Sequence, residues 1–71
     1  MHHLAIQVKD LEGVMSHLKG IGTEILAEIY EPTDGIREAI VCGPGGVRVQ
    51  FVEQNITRLI WQTIKGDFKE N

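Results

Sequence analysis

Apolar and polar residues alternate from the start of the chain: Leu4, Ile6 and Val8 fall on one side of residues 2–8, and His3, Ala5 and Gln7 on the other. Period-two alternation predicts a strand with one buried face and a more mixed second face. The period then changes. Leu11, Val14, Met15, Leu18 and Ile21 recur at helical spacing, which predicts an amphipathic helix with one apolar stripe. Asp10 stands where an N-cap belongs, and Glu12 lies in the first turn, where negative charge favours the helix dipole. "KGIG" ends the element, with Gly20 or Gly22 free to take a left-handed capping conformation.

Residues 24–30, "EILAEIY", predict a second strand. "EPTDG" reads as a turn, with Pro32 blocking continuation and Asp34-Gly35 reversing the chain. Two more strands, 36–42 "IREAIVC" and 47–53 "VRVQFVE", flank "GPGG". Taken as a four-residue loop, "GPGG" pairs Cys42 with Val47, Ile40 with Val49 and Ala39 with Gln50. Val47, Val49 and Phe51 then match Ile36, Ile40 and Cys42, while Arg37, Ala39, Val41, Arg48, Gln50 and Val52 collect on the opposite face. A one-residue slip would carry Arg37 and Arg48 among core residues, which favours this register. "GPGG" is no phosphate cradle, because a strand follows it and not a helix N-terminus.

Residues 55–66, "NITRLIWQTIKG", predict a final helix, with Asn55 as cap, Gly66 as stop, and Ile56, Leu59, Ile60, Thr63 and Ile64 as its stripe. Trp61 lies off that stripe, placed either to meet a partner chain or to pack on its own sheet. "DFKEN" reads as a frayed end. The expected fold is α+β: a single β-α-β-β-β module with a mixed sheet over residues 1–54, then a helical extension over 55–71.

Composition narrows the partners. A chain of 71 residues is one domain or less, and at that size only about 60% of the unfolded surface becomes buried. With Cys42 as its one cysteine it has no internal disulfide, so oligomerisation is the expected source of further stability and a reducing cytoplasm the expected compartment. A net charge of −3 supplies no basic footprint for nucleic acid. No apolar run approaches the roughly 18 residues of a membrane span, and no signal-peptide pattern opens the chain.

"HLAIQVKDLEGVMSHLKGIGTEILAE" followed by "DGIREAIVCGPGGVRVQFVE" resembles one module of the vicinal-oxygen-chelate superfamily, which includes glyoxalase I, extradiol dioxygenases, methylmalonyl-CoA epimerase and bleomycin-resistance proteins. The likeness covers residues 3–53 and is nearest to the second of the two modules usual in that group. It rests on a histidine opening the first strand, "V-x-DL" after it, and a proline-glycine turn before the closing strand. The resemblance implies a cup built from two modules, here from two copies of the chain around a two-fold axis. It implies His3 as the metal ligand of the first strand. On the closing strand it implies Gln50, where the group usually has glutamate; Glu53 has the wrong parity for that role. Two imidazoles and two amides form a neutral set, for which nickel or zinc is a better guess than magnesium or manganese.

Other candidates come from side-chain chemistry. Arg37 and Arg48, both expected on the cup face, suit the carboxylate or phosphate of a small organic anion. Glu28 and Tyr30 share a parity with Leu26; pointing into the cup, Glu28 would serve as a general base and Tyr30 as a hydrogen-bond donor to an oxyanion. Three functions follow. The first is a small-molecule-binding protein of the bleomycin-resistance type, with its cup shared between two protomers. The second is a metal-dependent lyase or isomerase similar to glyoxalase I. The third is an interaction module that docks on another chain through its last helix.

Overall fold

A computed structural model describes the backbone of residues 3–67 and, within the last helix, the side chains of residues 56, 57, 60, 61, 63 and 64. His2 and the part beyond Asp67 of the tail expected to fray lie outside the described residues, as does the side chain of Leu59. In chain order the elements are β1 (His3–Gln7), α1 (Leu11–Gly20), β2 (Ile25–Thr33), β3 (Ile36–Cys42), a single 3-10 turn (Pro44–Gly46), β4 (Arg48–Gln54) and α2 (Ile56–Asp67). The strands form one sheet in the order β1-β4-β3-β2. β1 runs parallel to β4, and the other two pairings are antiparallel. The fold is therefore α+β with a mixed four-stranded sheet.

α1 is closed at both ends as its sequence dictates. The Asp10 side chain accepts a hydrogen bond from the Gly13 N–H at 3.0 Å, satisfying one of the donors that a helix start leaves orphaned. At the other end the Thr23 N–H reaches the Leu18 carbonyl at 2.9 Å and the Gly22 N–H the Lys19 carbonyl at 3.1 Å. This is a Schellman cap, with Gly22 at φ 85° in the position that favours glycine. Ile21 departs from the expected stripe. It lies past the helix end and is 65% exposed.

β2 is longer than the sequence pattern implied. It continues through Pro32 to Thr33, because β2 is an edge strand, where a proline without an N–H breaks no ladder bond. The reversal narrows to Asp34-Gly35, with Gly35 at φ 90°.

The register of β3 against β4 differs by one residue from the sequence-based expectation. Cys42 pairs with Arg48, Ile40 with Gln50 and Ala39 with Phe51. The cause is the turn. The Gly43 N–H bonds the Val47 carbonyl at 2.6 Å, so the loop is the three residues Pro44–Gly46. Gly45 and Gly46 take φ of 70° and 81°, a pair of left-handed residues that glycine alone adopts without strain. One residue fewer in the loop inverts the face assignment of β3. Ala39 and Val41, not Ile40 and Cys42, meet α1.

The buried apolar residues among those described are Leu11, Met15, Ala39 and Val41, with Val8, Leu18, Ile25, Ile29, Val49 and Phe51 packed around them. α1 thus covers one face of the sheet. Glu53 joins helix and sheet: its Oε2 accepts the Leu11 N–H at 2.9 Å, and its Oε1 accepts from Arg37 Nη1 at 3.2 Å. Arg37 Nη2 continues to Glu12 Oε2 at 3.1 Å. The molecule measures 53 × 25 × 14 Å with a radius of gyration of 15.2 Å, against about 11 Å for a compact chain of this length. α2 projects from the sheet, tied at its start by the Asn55 N–H to the Gly35 carbonyl at 2.8 Å, and it leaves Ile56, Ile60 and Trp61 exposed.

Two outcomes test this packing. Glu53→Ala removes the acceptor of a part-buried helix N–H and should lower stability in urea unfolding by roughly 1–3 kcal/mol. Ala39→Leu overfills the space beneath Leu11 and should cost about 1–3 kcal/mol, whereas Ile40→Leu, on the opposite face, should leave the unfolding midpoint nearly unchanged.

Candidate functional site

The sheet face opposite α1 carries a line of polar side chains. On β1 the residues of this face are His3, Ala5 and Gln7, as the parallel register sets them beside Arg48, Gln50 and Val52 of β4. On β3 they are Ile36, Glu38, Ile40 and Cys42. On β2 the alternation of exposure places Leu26, Glu28 and Tyr30 outward from the core, and Tyr30 pairs with Glu38.

Four of these residues form one hydrogen-bonded chain across all four strands. His3 Nε2 lies 2.9 Å from Gln50 Oε1. Gln50 Nε2 donates to Glu38 Oε1 at 2.7 Å, and the Tyr30 hydroxyl donates to the same oxygen at 2.8 Å. The direction of the chain follows from chemistry. An ionised carboxylate only accepts, so the amide nitrogen of Gln50 must face Glu38 and its oxygen must face His3. His3 Nε2 is therefore the protonated nitrogen of the ring, and in the neutral imidazole Nδ1 keeps the lone pair.

The Tyr30 phenol is held above its ordinary pKa of 10.0, first by its hydrogen bond to Glu38, then by desolvation and by the negative charge of Glu38; Arg48 opposes the shift. Arg48 is exposed, and its side chain makes no hydrogen bond or ion pair to another described residue.

Arg37 is not on this face. With β3 inverted it lies on the α1 side, engaged by Glu53 and Glu12, and it does not join Arg48 as a ligand-binding pair. Glu28 is turned to the sheet edge, where Lys19 of α1 meets it at 2.7 Å. It stands apart from the chain of four. Glu38, on β3, brings a carboxylate to this chain that was not among the expected site residues. A four-residue loop would set Glu38 among the core positions, and the observed register turns it to the open face instead. Hydrophobic β3 residues at 39 and 41, against polar ones at 37 and 38, offered no alternation strong enough to reveal that register.

A metal ion fits one copy of this site poorly. The two expected ligand atoms, His3 Nε2 and Gln50 Oε1, are bonded to each other. Among the described residues no group of three or more histidine, cysteine, aspartate or glutamate side chains could hold a metal. Among the described residues, too, no helix is long and apolar enough to cross a membrane.

A scan of protein-family models and searches of curated proteins and of solved structures found no match to this chain.

The phenol shift is open to direct measurement, because Tyr30 is the one tyrosine of the sequence. Absorbance at 295 nm should titrate with a midpoint above 10.0, and Glu38→Gln should return it toward that value. A raised folded-state pKa means that the fold holds the proton more tightly than the unfolded chain does. The associated stability is therefore complete below the ordinary phenol pKa and is lost as pH rises through the folded one.

Proposed function

We propose that this chain is a small-molecule-binding protein of the glyoxalase and bleomycin-resistance type, whose open sheet face forms a cup with that of a second copy. The observation that carries this reading is the chain His3–Gln50–Glu38–Tyr30 with Arg48 beside it, a connected polar network on a face that α1 does not cover. Hydrogen-bonded networks of this kind hold side chains in fixed geometry, which is what orienting a ligand requires. Arg48 supplies a guanidinium for an organic anion. Support for the superfamily comes from topology: a strand, a helix and three further strands joined in one mixed sheet match the β-α-β-β-β module that the resemblance implied. Support for a second copy comes from what one copy leaves uncovered. β1 is an edge strand with Leu4 and Ile6 exposed at 52% and 38%, and exposed apolar edges of this kind invite pairing. The single thiol, half-buried Cys42, suits a reducing cytoplasm.

The binding reading is favoured over a metal-dependent lyase because His3 and Gln50 bring an imidazole and an amide, with no anionic oxygen to offset the desolvation of a divalent ion. It is favoured over a pure docking module because the polar chain serves no purpose in docking through α2.

Benzoate, as a probe anion, should raise the melting temperature of the wild-type chain and leave Arg48→Ala unmoved; an equal rise in both would remove Arg48 from the site. Sedimentation equilibrium at micromolar concentration should give twice the chain mass of 7.9 kDa. A folded monomer there would sink the shared cup.

A further inference from the structure

Glu38 is more than a bridge between Gln50 and Tyr30. Both of its hydrogen bonds end on the same oxygen, Oε1. Oε2 has no partner among the described residues, and it is not a buried orphan, since none of the described buried side-chain oxygens or nitrogens lacks a partner. The network thus fixes a half-buried carboxylate by one oxygen and leaves the other open on the cup face. Two donors already occupy Oε1, so Oε2 is the oxygen left for a further donor to reach.

The same face carries a second unpaired charge of opposite sign. Arg48 lies next to His3 in the parallel register and pairs with Cys42 in the antiparallel one. Glu38 lies opposite Val52. Val52 lies four positions beyond Arg48 on β4, or roughly 13 Å at the rise of an extended strand. Both side chains are long, and the guanidinium acts electrostatically on the Tyr30 phenol, which is itself hydrogen-bonded to Glu38. Glu38 and Arg48 nonetheless make no ion pair. Each is left to find its counter-charge elsewhere, along a surface that between them offers Ile40, Val52 and Ala5.

We infer that the cup selects a zwitterion: a small molecule with a carboxylate or other anionic group for Arg48 and an ammonium group for the open oxygen of Glu38, joined by an apolar spacer of several bonds. This rests on the binding reading above and adds to it the second charge. An exposed carboxylate at the far end would repel a simple dianion, so charge pattern, not anionic character alone, decides which ligands stay.

The test uses 6-aminohexanoate and hexanoate, which share length and carboxylate and differ in the ammonium group. Each is titrated into the ¹⁵N-labelled chain and followed by the side-chain amide of Gln50 and the backbone amides of β3 and β4. 6-Aminohexanoate should bind about fivefold more tightly than hexanoate, the gain that an exposed ion pair supplies. Glu38→Gln, which keeps size and a hydrogen-bonding end, should reduce that ratio to about one while hexanoate binding persists. Arg48→Ala should weaken both ligands alike. Hexanoate binding that depends on Arg48, with no advantage for 6-aminohexanoate, would overturn the zwitterion inference and leave the binding reading standing. Binding of both ligands that ignores Arg48→Ala would remove Arg48 from the site and overturn the zwitterion inference, and no binding of either ligand would overturn the binding reading itself. A dispersed amide spectrum for each variant shows that it has folded.

Discussion

The bond from the Gly43 N–H to the Val47 carbonyl, 2.6 Å long, governs the faces of this molecule. It closes a loop of three residues, and strand side chains alternate with a period of two. Shortening or lengthening that loop by one would therefore exchange the two faces of β3 relative to β4. With the loop as it is, Ala39 and Val41 pack under Leu11 and Met15, and Glu38 comes to Gln50. With one residue more, the Glu38 carboxylate would be pressed against the helix, where an unpaired charge costs far more than the burial of an isoleucine returns. The two left-handed glycines of the turn are thus the local condition for both the core and the polar face.

That register carries an apparent penalty, since it sends Arg37 to the helix side. The sequence offers the compensation. Glu53 has the same parity as Val49 and Phe51 and follows Arg37 to that side. Its carboxylate takes the Arg37 guanidinium on one oxygen and the first N–H of α1 on the other. Arg37 then reaches Glu12 in the first helical turn, where negative charge is already favoured by the helix dipole. Three charged residues and a helix start satisfy one another at the margin of the core, so none of them is buried alone.

Much of the fold was legible along the chain for reasons that are local. The Asp10 cap, the Gly22 cap and the order of strand and helix depend on residues close in sequence or on simple parity within one strand, whereas His3 and Gln50 were brought together only by the resemblance. Glu53 was likewise correctly turned away from Gln50 by parity alone. What escaped was the relation between two strands, which a single residue of loop length decides. "GPGG" does not reveal whether Gly43 belongs to the loop or to the ladder; only its bond to Val47 does. Arg37 and Glu38 were exchanged by that one ambiguity. The extent of β2 was missed for a different reason, because Pro32 is an interruption in a central strand but harmless at an edge, and edge position is a property of the sheet as a whole.

The apolar core and the polar side-chain network are divided between the two faces of one sheet. The buried apolar cluster among the described residues lies between the sheet and α1, while the polar chain from His3 to Tyr30 lies on the other side and contributes exposed or half-buried hydrogen bonds. Such bonds add little to folding, since water would serve their groups nearly as well. Their geometry is specific all the same: a glutamine oriented by a carboxylate, a histidine oriented by the glutamine, and a carboxylate oxygen left open between them. A network that adds little stability yet holds four side chains from four strands in a fixed order is better explained by what it holds in place for a ligand than by what it holds together.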